Sequence, residues 1–277
     1  MEIARTIAEI KNWRYECHSP VGFVPTMGFL HDGHISLVEQ AKRDNTKVAV
    51  SIFVNPTQFG PSEDFKTYPR DPDRDLNLLE KASTDIVFIP SDEEMYPNRY
   101  CTWVDVEKVT ERLEGKHRPG HFRGVTTVVA KLFNIVEPTR AYFGQKDAQQ
   151  AIVISKMVAD LNMNLEVVIV YTMREADGLA MSSRNIYLNP VERAAAIILY
   201  KALSKAKEQW QNGEKDAEYL RQIMVDMIQS EPLAKIDYIS ISDAMTLEEM
   251  SKIDRPSIAS LAVKIGKTRL IDNIRLD

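Results

Sequence analysis

Five short apolar segments, rich in valine, isoleucine and aromatic residues, alternate with segments of helical periodicity through the first two thirds of the chain. The apolar segments span 21–28, 47–54, 85–90, 140–145 and 165–172. Continuous apolar runs of this length are typical of strands that are buried on both faces, and helices between them imply right-handed crossovers. The pattern therefore predicts an α/β fold with a parallel sheet, in which ligands bind beyond the carboxyl ends of the strands.

The last hundred residues follow a different pattern. A long helix is predicted from Pro190, capped by Asn189, to about Gln211, and the segment DAEYLRQIMVDMIQ predicts a second helix. The segments KIDYISISDA and SIASLAVKIGKTRLIDNIRL predict strands, and the latter predicts a hairpin that turns near Gly266. We therefore expect one domain over residues 1–173 and a smaller C-terminal α+β domain over residues 174–277.

Composition excludes several classes of function. The 277 residues carry a formal net charge of −5 and a sequence pI near 5.7, so the composition does not support sequence-independent binding to nucleic acid. The sequence contains no uninterrupted apolar run of membrane-spanning length and no secretory leader pattern. We expect a cytoplasmic protein without nucleic-acid or membrane partners.

The segment PTMGFLHDGH, residues 25–34, lies between a predicted strand and a predicted helix. Backbone N–H groups at the start of a helix favour an anion, and imidazoles can donate hydrogen bonds to phosphate oxygens. Gly28 and Gly33 would permit close approach of the backbone, while His31 and His34 supply the donors. An ordinary turn with two surface histidines is the alternative, but the flanking strand and helix favour a nucleotide phosphate site.

Three further polar segments follow predicted strands: FVNPTQFGPSEDFKTYPRDPDRD (53–75), YFGQKDAQQ (142–150) and LAMSSRN (179–185). Gln58 suits hydroxyl and carboxylate groups, and Lys146 could reach a phosphate. The serines and arginine of the third segment could surround a triphosphate. Each segment alone fits a solvated loop, an exposed turn or a helix cap equally well.

Two rival sites are unsupported by the sequence. No G-x-G-x-x-G follows a strand, and the GKT at Gly266 lacks the first glycine of a P-loop. His117 and His121 are four residues apart, but Pro119 and Gly120 between them prevent the continuous helix that would align two metal ligands.

Six motifs occur together in the chain: PTMGFLHDGH, FVNPTQF, YPR, GKHRPGHFRGV, FGQKDAQQ and READGLAMSSRN. In the order and spacing of these motifs, the chain resembles the pantoate-beta-alanine ligase family over nearly its whole length. The resemblance implies a Rossmann-like parallel sheet of the HxGH nucleotidyltransferase type with a lid-like C-terminal domain, usually in a homodimer. It also implies that the carboxylate of pantoate attacks the α-phosphorus of ATP to give pantoyl adenylate and pyrophosphate. β-Alanine then displaces AMP, leaving pantothenate, a precursor of coenzyme A.

The resemblance also implies roles for individual residues. Its catalytic residues fall on His34, His31 and Lys146. Its ATP contacts fall on Met27, Gly28, His31, His34, Gly144, Gln145, Lys146, Asp147, Met173, Met181, Ser182, Ser183 and Arg184. Gln58 and Gln150 match the glutamines that bind pantoate, with Gln58 also near β-alanine.

Some expectations remain open at this point. The chemistry requires Mg²⁺, and Asp73 or Asp75 could take part, but no ligand is assigned. Lys116, Arg118, His121 and Arg123 could meet substrate or pyrophosphate, or support a dimer. We further expect the 59–75 loop and the C-terminal domain to close over the adenylate, with a hinge near Met173.

Two other functions compete with the ligase. A different HxGH adenylyltransferase, which retains AMP in its product, would share the phosphate-binding residues but would not need the two glutamines. A non-catalytic nucleotide-binding or RNA-binding module would want a basic surface, which the acidic pI argues against.

Overall fold

The computed structural model describes residues 1–61 and 63–277, and these form two compact units. The first unit comprises residues 1–144 and 149–171, and the second comprises residues 145–148 and 172–277. The short segment 145–148 therefore packs with the C-terminal part of the chain. The functional domains expected on either side of residue 173 remain a proposal.

The first unit is built on a parallel sheet, as the apolar segments predict, but the sheet has six strands where the segments indicate five. Its strands are β1 (Glu2–Ala4), β2 (Val21–Thr26), β3 (Lys47–Ile52), β4 (Ile86–Phe88), β5 (Arg140–Gly144) and β6 (Glu166–Val170). Their order in the sheet is β1-β4-β3-β2-β5-β6, and every pairing is parallel. The predicted α/β class and parallel sheet are confirmed.

The helices lie between these strands. They are α1 (Ile7–Glu16), α2 (Asp32–Asp44), α3 (Pro72–Lys81), α4 (Asp92–Met95), α5 (Leu113–His117), α6 (His121–Val136) and α7 (Ala148–Asp160). The break between α5 and α6 falls at Pro119 and Gly120, as predicted. The sequence patterns missed β1, an edge strand of three residues, and α1, in which only Ile10 is buried and the apolar periodicity is weak.

Apolar residues of the central strands pack against α2 and α3. Val24, Val48 and Val50 belong to one buried cluster with Leu37 and Leu79, and the latter two come from the helices. Complete burial of such a side chain contributes about 1.5–3 kcal/mol relative to leaving it exposed. This cluster fixes the helices that begin at the carboxyl edge of the sheet.

The strand order places a switch point beside β2. β2 pairs with β3 on one side and with β5 on the other. The chain runs outward from β2 through β3 to β4, and then crosses back to β5 on the opposite side of β2. In doubly wound sheets, ligands bind at the carboxyl ends of the two strands that flank such a point. The segment 25–34 follows β2, and the chain leaves β5 at Gly144.

The second unit packs helices against an antiparallel sheet. Its elements are α8 (Pro190–Ala195), α9 (Ile198–Gln211), α10 (Ala217–Gln229), β7 (Ala234–Asp243), β8 (Ser257–Ile265) and β9 (Thr268–Leu276). The hairpin between β8 and β9 turns at Gly266, as predicted. The predicted single helix from Pro190 to Gln211 is wrong, because a tighter turn, in which the Leu199 N–H donates to the Ala196 carbonyl, separates α8 from α9.

The polar segment 53–75 is more structured than predicted, although residue 62 lies outside the described residues. Its start forms a 3-10 turn at Pro56–Gln58, and its end is the first turn of α3. Asp73 and Asp75 are therefore helical residues. Within the described residues, no helix combines the length and the hydrophobicity that crossing a bilayer requires.

We predict that Gly124→Ala destabilises the first unit. A Cβ on Gly124 would lie 2.5 Å from the Thr57 carbonyl oxygen and 2.7 Å from the Gln58 backbone nitrogen, so α6 and the 3-10 turn would have to separate. Overpacking of this kind costs about 1–3 kcal/mol, which urea unfolding would measure. The control is Gly60→Ala, whose Cβ would find no neighbour closer than 3.7 Å; equal unfolding free energies for the two variants would contradict the prediction.

Candidate active site

The turn after β2 reverses the chain through two residues with positive φ. Gly28 has φ of 80° and Phe29 has φ of 49°. Thr26 supports the turn from the end of β2, because its hydroxyl donates to the Ser51 carbonyl at 2.7 Å and accepts from the Gly28 N–H at 3.2 Å. The backbone that leads into α2 is thus held to the neighbouring strand β3.

Asp75 clamps the same turn from the first turn of α3. Its two carboxylate oxygens accept the N–H groups of Phe29 and Leu30, each at 2.7 Å, and its side chain is 1% exposed. Burial raises the pKa of the Asp75 carboxyl, while the two N–H donors oppose that shift. Both oxygens are therefore engaged with the backbone, which makes Asp75 a poor candidate for a magnesium ligand.

The clamped turn delivers His31 and His34 to the N-terminus of α2. His31 is the N-cap residue, and its N–H donates to Nδ1 of His34 at 3.3 Å. The two ring centroids are 4.1 Å apart. Because Nδ1 of His34 accepts, the proton of its neutral ring lies on Nε2, which is then a donor beside the positive end of the helix dipole. This arrangement suits an anionic ligand.

Gln58 is buried and its side-chain amide is oriented by neighbours. Its Nε2 donates to the sulfur of Met27 at 3.1 Å, and its Oε1 accepts from Nδ2 of Asn55 at 3.1 Å. Asn55 is itself fixed, since its Oδ1 accepts from the Tyr96 hydroxyl at 2.8 Å. The structure thus brings Gln58 and the histidine-bearing turn together through Met27.

The two adjacent glutamines in α7 differ in their hydrogen bonds and burial. Gln149 is buried; its Nε2 donates to the carbonyls of Val109 and Arg112, and its Oε1 accepts from the Glu114 N–H. Gln150, the predicted substrate ligand, is only half-buried.

In the second unit, β9 holds the turn that carries Lys146. Nδ2 of Asn273 donates to the carbonyls of both Gln145 and Lys146 at 2.9 Å. Lys146 is half-buried, and its Nζ lies 3.5 Å from a carboxylate oxygen of Asp147. Nothing local in the sequence links Asn273 to this turn.

The remaining predicted ATP contacts of the second unit fall in one segment. The Met181 N–H donates to the Met173 carbonyl at 3.0 Å, so these two methionines are adjacent. Ser182 caps the 3-10 turn Ser183–Tyr187 by accepting the Arg184 N–H at 3.3 Å. The predicted residues of this region are therefore neighbours in space as well as in sequence.

Asp272 and Arg174 fasten this segment to β9. The guanidinium of Arg174 donates to both oxygens of buried Asp272, at 2.6 Å and 3.0 Å, and lies 4.2 Å from the ring centroid of Tyr200. Burial raises the pKa of the Asp272 carboxyl, and the bonds from Arg174 oppose that shift. β9 thus supports both the Lys146 turn and the segment after Met173.

The four residues whose roles the sequence left open fall into two groups according to their contacts. Lys116 is exposed, and the guanidinium of Arg123 lies over the ring of Trp103 at 4.9 Å. His121 instead lies next to the Gln58 carbonyl, and Arg118 lies next to His121.

Comparison with known proteins gives a consistent result. A family model described as "Pantoate-beta-alanine ligase" matches residues 2–275. The chain is 58% identical to the pantothenate synthetase of Herpetosiphon aurantiacus over 99% of each chain. It is 58% identical to that of Pelotomaculum thermopropionicum over 99% of this chain and 98% of the relative.

Solved structures agree. A pantothenate synthetase from Thermus thermophilus has a TM-score of 0.96 and 46% identity, covering 100% of this chain and 99% of that one. A pantoate-beta-alanine ligase from Francisella tularensis, described as complexed with beta-gamma ATP and beta-alanine, has a TM-score of 0.82 and 36% identity, covering 100% and 98%.

We predict that Asp75→Asn loosens the turn after β2. An amide offers one acceptor where the carboxylate offers two, so an N–H of Phe29 or Leu30 loses its partner in a buried place. The expected cost is about 1–3 kcal/mol in unfolding free energy, with faster hydrogen exchange at these two amides. The control is Asp73→Asn in the same helical turn, where the side chain is exposed; unchanged exchange at Phe29 and Leu30 in Asp75→Asn would refute the clamp.

Proposed function

Because the chain belongs to the pantoate-beta-alanine ligase family, we propose that it condenses pantoate with β-alanine, with ATP as co-substrate. The reaction proceeds through pantoyl adenylate, releasing pyrophosphate in the first step and AMP in the second. The observation that carries the proposal is the paired histidines at the start of α2, after the central strand of a parallel sheet, in a chain that matches this family along its length.

The first step brings a carboxylate anion to an anionic phosphate, so the reacting phosphorus needs surrounding donors. His31 and His34 would donate at the helix N-terminus, and Lys146 would add a positive charge. In such sites each preorganised donor contributes about 10²-fold or more in rate. Ser182, Ser183 and Arg184 complete the proposed set of donors to ATP.

The remaining ATP contacts of this proposal combine backbone, apolar and polar groups, among them the carboxylate of Asp147, which could hold ribose hydroxyls. They are Met27, Gly28, Gly144, Gln145, Asp147, Met173 and Met181. Gly28 suits this role because it has no side chain to block a ligand, adopts a positive φ and lies three residues before His31.

Pantoate would be bound by Gln58 and Gln150, with Gln58 also near β-alanine. A neutral amide can donate to a carboxylate without holding the nucleophilic oxygen as tightly as a cation would. The internal role of Gln149 supports the choice of Gln150 over its neighbour.

We propose that Mg²⁺ accompanies the triphosphate. Among residues 1–61 and 63–277, no group of three or more histidine, cysteine, aspartate or glutamate side chains is arranged to hold a metal ion. Mg²⁺ in such enzymes is usually held by substrate phosphates, water and one or two carboxylates, so a protein cage is not needed. The ion would offset charge on the phosphates.

The second step needs an unprotonated amine. An alkyl amine with a pKa of about 10.4 is largely protonated at neutral pH, so proximity to the activated acyl group would supply most of the acceleration. On the resemblance, we also propose that residues 174–277 act as a lid domain. Because the adenylate must be shielded from water, we propose that this domain and the segment 59–75, whose last residues form the first turn of α3, close over it, with a hinge near Met173. A homodimer is proposed on the resemblance alone. A cytoplasmic location is proposed as the sequence analysis expects.

The function is tested by product analysis with ATP, pantoate and β-alanine. We expect AMP release only when both acids are present. Pyrophosphate without AMP would favour an HxGH adenylyltransferase that retains AMP in its product, which the family match does not favour. Absence of both products would contradict the proposal.

We predict that His34→Ala slows pantoate-dependent pyrophosphate release by at least about 10²-fold, because a donor to the developing charge is lost. His18→Ala is the matched control, since His18 is exposed in the loop after α1. Circular dichroism would confirm that both variants fold. A near-normal rate in His34→Ala would remove its catalytic role.

A further inference from the structure

A chain of three side chains links the loop after the 3-10 turn to the backbone of Gln58. Nε and Nη2 of Arg118 donate to the two carboxylate oxygens of Glu63 at 2.6 Å and 2.8 Å. Nη1 of Arg118 lies 3.1 Å from Nε2 of His121, and Nδ1 of His121 lies 2.8 Å from the Gln58 carbonyl oxygen. All four residues belong to the first unit.

The chemistry of arginine fixes the tautomer of His121. A guanidinium has only N–H donors, so Nε2 of His121 must accept, and the ring proton must lie on Nδ1. His121 then donates that proton to the Gln58 carbonyl. Burial, with the charge of Arg118, lowers the pKa of His121 to about 4, so the ring stays neutral near pH 7.

Glu63 keeps Arg118 in place. The carboxylate holds the guanidinium through two parallel hydrogen bonds, a geometry that sets its orientation as well as its charge balance. Burial opposes ionisation of Glu63, but the bonds from Arg118 lower its pKa overall. The third side of the guanidinium is thereby directed at His121.

Gln58 is consequently held at its backbone and at its side chain. His121 fixes the carbonyl, Gly124 packs against the backbone nitrogen, and Asn55 orients the amide oxygen. Such support favours binding by a side chain that must hold substrate in one orientation, because the side chain then loses less conformational entropy when the substrate binds.

We propose that His121, Arg118 and Glu63 are positioning residues for pantoate, acting through the backbone of Gln58. The inference rests on the proposed function, in which Gln58 binds pantoate. It also predicts that these residues leave ATP binding unaffected, since none of them contacts the histidine-bearing turn in the hydrogen bonds described above.

The test compares three substitutions at one position by steady-state kinetics. His121→Phe keeps the ring but removes both nitrogens. His121→Asn keeps a donor where Nδ1 stood, and His121→Gln keeps a polar atom where Nε2 stood. We expect His121→Phe to raise KM for pantoate about threefold to tenfold, the effect of one neutral hydrogen bond, with KM for ATP unchanged. His121→Asn should restore most of this loss, and His121→Gln should not.

A double-mutant cycle separates positioning from general destabilisation. Gln58→Ala should raise KM for pantoate, and adding His121→Phe to it should raise KM no further, because His121 acts only through Gln58. Additive effects would overturn the proposal, as would rescue by His121→Gln rather than His121→Asn. Glu107→Ala is the control in the segment before α5, because Glu107 is exposed and has no role in the proposed site.

The remaining outcomes are also distinguishable. If Gln58→Ala leaves KM for pantoate unchanged, the proposed role of Gln58 fails. If Gln58→Ala raises that KM and His121→Phe does not, the positioning proposal fails. Should His121→Phe not fold, Arg118→Met and Glu63→Gln take its place, and each must raise KM for pantoate but not for ATP.

Discussion

The hydrogen bonds from Phe29 and Leu30 to Asp75 are the constraint on which the rest of the site depends. They hold a turn with two positive-φ residues in a single conformation between the central strand and α2. Without an acceptor inside the fold, these two N–H groups would carry the cost of unpaired buried donors. Because α2 begins directly after the turn, the clamp also decides where His31 and His34 lie.

The position of the histidine-bearing turn also depends on the order of the strands in the parallel sheet. Parallel pairing of β2 with both β3 and β5 places the histidine-bearing turn next to the carboxyl end of β5. In the proposed function, a charged ligand at this point would meet a helix N-terminus and the imidazole donors of His31 and His34. This geometry supports the proposed phosphate site, and the family match over residues 2–275 supports the proposed ligase reaction.

Local sequence patterns predicted the sheet, because buried parallel strands and amphipathic helices both leave periodic signals. They also located the histidine pair, Gln58, and the Lys146 turn, whose roles remain proposals. Three supporting interactions had no such signal. Asp75 is 46 positions from Phe29, His121 is 63 from Gln58, and Asn273 is 128 from Gln145. Each is a tertiary hydrogen bond, and only the folded chain reveals the partner.

The absence of a local sequence signal also explains where the predicted fold differs from the structure. β1 and α1 bury few residues, so hydrophobic periodicity could not mark them, and the break between α8 and α9 arises from one tightened turn without proline or glycine. In the sequence, Asp75 is one acid of a polar loop that could take part in magnesium binding, whereas the structure assigns both of its oxygens to backbone donors.

The central claim is that the clamped turn presents the α-phosphorus of ATP to a carboxylate. The most direct measurement uses pantoate with both carboxylate oxygens labelled by ¹⁸O, followed by mass spectrometry of the products. The account predicts one ¹⁸O atom in AMP and none in pyrophosphate, because the attacking oxygen leaves with the α-phosphoryl group. Unlabelled AMP, or label in pyrophosphate, would contradict it.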